Sequence, residues 1–257
     1  MLTPIVIDDV RPRTPAGFPA KVVVGTPVPV SAVLIADGHD ILGGRVRWRA
    51  MGADDWTTAP LKLTTNDRWE GTITVDELGA HELVVDAWTD RYATWVHDIE
   101  LKVAAGQDVE LELEEGARIL DDLAGRLQRS AAEAVRAAAA GVRRQSCSLD
   151  VRLNAGTDDA VAALVAGIPD ARCSSSAPLP LWADRRLAAH AAWYELFPRS
   201  FGGFRGAAAH LDYVADLGFD VVYLPPIHPI GRTFRKGKGN TLTPGPDDPG
   251  SPWAIGA

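Results

Sequence analysis

The chain has 257 residues, with 34 acidic and 26 basic side chains and a formal net charge of -8 at pH 7. Hydrophobic residues make up 46% and charged residues 23%, which is typical of globular domains and excludes a disordered chain. The negative charge argues against binding to nucleic acid or anionic membranes, and two cysteines are too few for a disulfide framework.

The N-terminal residues contain neither a basic cluster nor a long apolar core, so we expect no secretory signal. No stretch of the sequence approaches the roughly 20 apolar residues of a membrane span. Together with the sparse cysteines, these features predict a cytoplasmic protein.

Residues 1–106 have a β-rich pattern. Leu83, Val85 and Ala87 fall on one side of an alternating run, and glycine-containing turn signals recur between such runs. Short strands at this spacing predict an antiparallel, immunoglobulin-like β-sandwich over 1–106. Five of the eight tryptophans lie in this region, and we interpret them as packing residues in preference to a platform for sugar rings.

Residues 107–187 have a different sequence pattern from the β-rich region before them. The segment 108–114 alternates strictly between apolar residues and glutamates, which predicts a last sandwich strand or a short ribbon. Helix-spaced leucines and an alanine-rich run follow, so we assign 107–187 to a helical insert or bundle. Its small side chains permit close helix packing, within one chain or in a homodimer. The segment 173–178 has the composition of a linker.

Residues 188–257 begin another domain. An apolar strand near 191–197 precedes a helical pattern over 204–217, and a second apolar strand lies at 220–224. The order strand, helix, strand is that of a parallel α/β domain, and it predicts the first βαβ part of an incomplete (β/α)8 TIM barrel.

A cationic loop follows the second of these strands. Four basic residues lie within 232–238, at the strand end where barrels place their sites. Such a loop could clamp an anionic ligand, although charge alone favours a solvated loop that pairs with Asp247 and Asp248. The histidines and cysteines lack metal-ligand spacing, and the loop reverses the Gly-Lys order of a phosphate loop, so we predict no metal and no cofactor.

Four sequence runs carry a resemblance to a known family. They are AWYELFPRS at 192–200, LGFDVVYLPPIHPIG at 217–231, RKGKGNTL at 235–242 and SPWAIG at 251–256. The first two are similar to the start of the catalytic barrel in the α-amylase clan. The last two resemble the maltose-1-phosphate maltosyltransferases of the GlgE type. Shorter similarities at 8–12, 19–21, 67–69 and 114–118 extend the resemblance through the N-terminal region.

The resemblance implies a retaining transfer of maltosyl units from α-maltose 1-phosphate to the non-reducing end of an α-1,4-glucan. It implies that Lys236 contacts the sugar-phosphate donor and that Asn240 lines the sugar pocket, with Arg235 and Trp253 as supporting candidates. Gly239 stands where relatives often have a second asparagine. The family's nucleophilic aspartate and acid/base glutamate lie beyond residue 257, so we expect the chain alone to be inactive.

Two other interpretations stay open. A different enzyme of the clan, such as an amylase, a branching enzyme or a trehalose-forming enzyme, would share the strand signatures without needing Lys236. A non-catalytic module for glucan binding or dimerisation would need only the sandwich and the helices.

Overall fold

A computed structural model describes residues 5–170, 172–228, 233–248 and 250. The chain divides into two compact units, Met1–Asp184 and Arg185–Ala257. The strands of the first unit are β1 (Val6–Arg11), β2 (Ala20–Val23), β3 (Pro27–Ile35), β4 (Leu42–Ala50), β5 (Thr57–Thr65), β6 (Arg68–Thr74), β7 (Gly79–Thr89), β8 (Ser174–Ser175) and β9 (Leu179–Asp184). Its helices are α1 (Arg91–Ala104), α2 (Glu110–Ala124), α3 (Arg129–Val142), α4 (Leu149–Thr157) and α5 (Asp159–Val165).

The strands of the first unit form one mixed sheet in the order β1-β3-β6-β5-β4-β7-β9-β2, with β8 added beside β7. Neighbouring strands are antiparallel except β2 and β9, which are parallel. Residues 57–61 of β5 pair with β4, whereas residues 62–65 pair with β6. The β-rich prediction is therefore correct in type, but the sheet is mixed where a purely antiparallel arrangement was expected.

The sheet curls around one apolar core. Along β3, Val28, Val30, Ala32 and Leu34 are buried while the residues between them are not, which is the period of two expected of a half-buried strand. Side chains from β4, β6, β7 and β9 join the same cluster. Buried side chains from strands that are far apart in the sequence thus form the apolar core of this unit.

The first correction concerns residues 91–104, which were predicted as part of the sandwich and form α1. The Asp90 carboxylate accepts a hydrogen bond from Ala93 N at 2.9 Å and caps the helix. Tyr92, Trp95 and Ile99 are buried at helical spacing. Trp95 thus packs in the helical core and not in the sheet, because its local period is 3.6 and not two.

The second correction concerns residues 108–114, which were predicted as a strand and open α2. Leu111 is 84% exposed whereas Leu113 is fully buried, so the strict alternation does not define one buried face. Val109, Leu113, Ala117 and Leu120 are buried instead, at spacings of three and four. The glutamates at 110 and 112 lie in the first helical turn, where the helix dipole favours negative charge.

The third correction concerns 173–178, which was predicted as a linker. Residues Ser174 and Ser175 pair with β7, and β9 then inserts between β7 and β2. The helices α1–α5 lie between β7 and these returning strands in the chain. The helical segment is therefore an insertion within the sheet of the first unit.

The second unit contains β10 (Trp193–Glu195), α6 (Phe204–Ala209), α7 (Leu211–Asp216) and β11 (Val221–Tyr223). Strands β10 and β11 are parallel, with Trp193 opposite Val221. The helical pattern over 204–217 is divided at His210 into two short helices, and Gly218 adopts a left-handed φ of 85° after the second. No helix in the described parts of the chain combines the length and the apolar character needed to cross a bilayer.

Candidate functional site

The candidate site is the loop that follows β11 in the sequence, and β11 itself is paired with β10. Asp220, directly before β11, accepts a hydrogen bond from Ala192 N at 2.9 Å through its carboxylate, and its own N–H donates to Ala192 O at 3.0 Å. These two bonds join the start of both strands. They fix the register from which the loop departs at the carboxyl end of β11.

Lys236 directly precedes a tight turn over 237–241 that contains Asn240. Lys236 N donates to Gly250 O at 2.9 Å, which ties the first part of the loop to its return. Gly237 N donates to Thr241 O at 2.9 Å, and Asn240 N donates to Gly237 O at 3.0 Å. The backbone therefore holds the two predicted substrate-binding residues in one local structure.

The turn depends on residues that tolerate unusual backbone angles. Gly239 and Asn240 both have a φ of 63°, a left-handed conformation that asparagine adopts more readily than most side chains. A Cβ atom on Gly237 would lie 2.5 Å from Thr241 Oγ1 and 2.8 Å from Thr243 O. The left-handed φ of Gly239 and the close contacts of Gly237 thus both favour glycine at these two positions of the turn.

Arg235 braces the return of the loop. Its guanidinium donates to Asp248 O at 3.2 Å, while the Asp248 carboxylate accepts from Gly245 N at 2.6 Å. A Cβ atom on Gly250 would lie 2.5 Å from Arg235 Nε, so this close approach requires glycine. Arg235 Nε is buried without a hydrogen-bond partner among the described residues. The contacts of Arg235 are thus with the loop backbone.

The loop keeps uncompensated positive charge within the described part of the chain. Lys236 is half-buried and Lys238 is exposed, and neither forms an ion pair with any described carboxylate. The expected pairing with Asp247 and Asp248 is not found among these residues, because Asp248 is engaged by the backbone of its own turn. A half-buried ammonium group held by a fixed backbone can interact with an anionic oxygen.

The sequence also matches a family model, and the match covers most of the chain. The model is described as "Alpha-1,4-glucan:maltose-1-phosphate maltosyltransferase, domain N/S", and it matches residues 3–185. The chain belongs to this maltosyltransferase family. The resemblance seen in the sequence is therefore confirmed, and the matched range coincides closely with the first compact unit, Met1–Asp184.

Curated maltosyltransferases are similar to nearly all of the chain. One from Cereibacter sphaeroides is 43% identical over 249 residues, which are 93% of this chain and 41% of the relative. Maltosyltransferase 1 of Streptomyces coelicolor is 42% identical over 97% of the chain and 39% of its own length. That of Myxococcus xanthus is 41% identical over 98% of the chain and 40% of its own length. The chain thus spans about two fifths of these relatives, and the similarity extends well beyond residue 185.

In this member of the family, the structure brings together Lys236, Asn240 and Arg235 in one loop, whereas Trp253 lies outside the described residues. The sequence did not identify Asp248 as a supporting residue. Its carboxylate accepts a hydrogen bond from Gly245 N and closes a turn, and its carbonyl accepts from Arg235. Asp220 was likewise predicted only as part of a strand. Asp248 stands directly before a proline, and Asp220 stands directly before an apolar strand. An aspartate at such a position can accept from backbone N–H groups, and this signal could have identified both residues.

Proposed function

We propose that the chain is the N-terminal part of a retaining maltosyltransferase that uses α-maltose 1-phosphate as donor and the non-reducing end of an α-1,4-glucan as acceptor. Membership of the maltosyltransferase family supports this proposal. The observation that carries it at the level of residues is the turn that holds half-buried Lys236, without an ion pair among the described residues, beside Asn240.

The donor chemistry explains why a lysine is needed. Phosphate leaves the anomeric carbon with the bonding electrons, so negative charge builds on its oxygens in the transition state. A fixed ammonium group stabilises that charge and also binds the donor. In this proposal Lys236 contacts the phosphate, Asn240 contacts the sugar, and Arg235 and Trp253 support the loop.

A retaining transfer also needs two carboxylates. One displaces phosphate and forms a β-maltosyl-enzyme, and the other takes the proton from the acceptor's 4-hydroxyl as that oxygen attacks. We assign neither role to a residue of this chain and propose that both carboxylates follow residue 257 in the complete enzyme. The 257-residue chain by itself is then inactive, and detectable turnover of maltose 1-phosphate by it would contradict this assignment.

The proposed architecture is an immunoglobulin-like β-sandwich built from β1–β9, a helical insert formed by α1–α5 between β7 and β8, and the start of a (β/α)8 barrel over 188–257. The parallel pair β10–β11, joined through α6 and α7, supports the barrel assignment, since this is the order of its repeating unit. We further propose a cytoplasmic homodimer that associates through the first two regions.

Replacement of Lys236 by methionine in the complete enzyme tests the function. We expect Lys236→Met to weaken binding of maltose 1-phosphate by about 10- to 100-fold, because a charge-assisted hydrogen bond contributes about 1.5–3 kcal/mol. Calorimetric titration of the donor measures the affinity, and phosphate release measures turnover. Methionine keeps an unbranched side chain of similar length and removes the charge and the hydrogen-bond donors of the ammonium group.

Lys238→Met is the matched control, since Lys238 is an exposed lysine of the same loop, and it should leave donor affinity within about twofold. Equal donor affinity in wild type and Lys236→Met would refute the assignment. Turnover of neutral maltosides at the rate of maltose 1-phosphate would instead favour another enzyme of the α-amylase clan.

A further inference from the structure

A groove crosses the outer surface of the curled sheet, on the side opposite to its apolar core. It has a volume of about 680 Å³. Its wall residues come from the end of β1, from β3 and from β6, and they include Arg11, Arg13, Pro29, Ser31, Glu70 and Thr72. Register places Ser31 between Arg11 on one side and Glu70 on the other. A guanidinium, a hydroxyl and a carboxylate therefore lie side by side across three strands.

A second cavity of about 350 Å³ lies next to the groove, and Arg13 lines both. Its lining includes Phe18, and that ring is 71% exposed. The loop that carries Phe18 is held by Thr14, whose hydroxyl donates to Phe18 O at 2.7 Å and whose carbonyl accepts from Gly17 N at 3.2 Å. The exposed aromatic ring is therefore presented by an ordered turn.

Ion pairs hold the polar groups of the groove in place. Asp9 lies 3.1 Å from Arg11 Nε, 3.8 Å from Arg13 and 3.7 Å from Arg68, and Arg68 Nε lies 3.5 Å from Glu70. The hydrogen bond from Arg11 lowers the pKa of the Asp9 carboxyl, so this centre of the network is ionised at neutral pH. Preorganised side chains lose less freedom when a ligand binds.

The chemistry of the groove indicates a neutral, polyhydroxylated ligand. Asp9 and Glu70 offset much of the positive charge of the arginines, which disfavours an anion. Guanidinium, carboxylate and hydroxyl groups can each bond to sugar hydroxyls, and an aromatic face can cover the apolar face of a sugar ring. Because Arg13 lines both cavities, a chain of sugar units could reach from the groove to Phe18, whereas a single unit would occupy one cavity.

We propose that this groove binds a segment of an α-1,4-glucan, with Phe18 stacked on one glucose ring and Arg13 and Glu70 bonded to hydroxyls. This inference rests on the proposed function, which makes such a glucan the acceptor. The groove then holds the polymer on the first unit, through residues that have no part in binding the donor.

The test uses the 257-residue chain and two glucans, glycogen in native affinity gels and maltoheptaose in calorimetric titration. We expect glycogen to retard the chain. Phe18→Ala should raise the dissociation constant for maltoheptaose about tenfold, as truncation of a central aromatic contact commonly does. Arg13→Ala should raise it about fivefold. The matched control is Phe204→Ala, which removes a half-exposed phenylalanine from the second unit and should leave the constant within about twofold.

Three results would overturn the proposal. They are no retardation of the wild-type chain, an unchanged dissociation constant in both groove variants, and a change of oligomeric mass in Phe18→Ala without a change in glucan affinity. The last result would assign the groove to a second copy of the chain. Because Phe18 and Arg13 are exposed, unchanged circular dichroism spectra should accompany the loss of binding. The proposed function is judged separately, through donor affinity in Lys236→Met.

Discussion

At the scale of single residues, the least exposed charged side chain among the described residues is Asp86. It lies on the face of β7 opposite to Leu83 and Val85, yet it is only 1% exposed. Arg45 Nε donates to its carboxylate at 2.9 Å, and Ser175 Oγ donates at 2.7 Å. Arg47 Nε lies 2.8 Å away without the angle of a hydrogen bond, so its contribution is mainly electrostatic. Ser175 joins the returning segment to this network.

Removal of the Asp86 carboxylate should therefore destabilise the first unit. Asp86→Ala leaves two partly buried guanidinium groups without their counter-charge, and we expect a loss of about 2–4 kcal/mol in the free energy of unfolding. Chemical denaturation followed by circular dichroism measures the change. Glu133→Ala removes an exposed ion pair with Arg129 and should cost less than about 0.5 kcal/mol. Equal effects of the two changes would contradict the importance of this network.

Single residues also show what the sequence could and could not predict about the candidate site. Lys236 and Asn240 were identified because their types and spacing match a family motif. The brace formed by Arg235 and the Asp248 carbonyl could not be predicted, because it depends on a backbone path that brings Gly250 within reach. Sequence patterns can indicate which side chains bind a ligand. They reveal little about side chains that support a loop through hydrogen bonds to backbone atoms.

At the scale of helices and strands, α1 and α2 illustrate why local patterns failed. Trp95 was predicted to be a packing residue of the sandwich because large aromatic side chains are common in sandwich cores. Its indole N–H in fact donates to Glu112 O at 2.7 Å, and its ring packs over Gly116 of α2. The composition of 91–104 favours neither helix nor strand strongly, so the contact between α1 and α2 determines that this segment is helical. The run that forms β7 was recognised from Leu83, Val85 and Ala87, and all three are buried, although β7 is buried on both faces over residues 83–88.

The contact between Trp95 and Gly116 makes a specific prediction about helix packing. A Cβ atom on Gly116 would lie 2.0 Å from Trp95 Cε2. We expect Gly116→Ala to destabilise the unit by about 1–3 kcal/mol, because overpacking outweighs the gain of about 1 kcal/mol in helix propensity. Thermal and urea unfolding measure the difference.

A double-mutant cycle separates packing from propensity. In a Trp95→Phe background the smaller ring leaves room for the methyl group, so Gly116→Ala should become close to neutral or stabilising. Trp95→Phe keeps an apolar side chain, Gly116→Ala adds one, and neither change introduces a charge. The same destabilisation in both backgrounds would show that the indole ring is not the cause.

At the scale of the whole molecule, the sheet of the first unit is built from two parts of the chain that the helices separate. Strands β1–β7 precede the helices, and β8 and β9 follow them. Strand β9 lies between β7 and β2, so β2 is joined to the sheet only through residues that come about 160 positions later. This connection was not predictable from local patterns, because nothing near 179–184 specifies a partner strand near the N-terminus.

The extent of this unit predicts which shortened chains will fold. Both apolar clusters lie within Met1–Asp184, so a chain of residues 1–184 should unfold cooperatively with a stability within about 1 kcal/mol of the same unit in the longer chain. A chain ending at 170 lacks β8 and β9. It loses fully buried Leu181, the Ser175 contact with Asp86 and the attachment of β2.

We therefore expect the chain ending at 170 to be destabilised by more than about 3 kcal/mol, since one buried leucine alone contributes about 1.5–3 kcal/mol. Urea unfolding followed by tryptophan fluorescence distinguishes the two chains. Cooperative unfolding of the shorter chain at the same midpoint would show that β9 is dispensable. Stability that requires residues beyond 184 would show that the matched range 3–185 is not an independent folding unit.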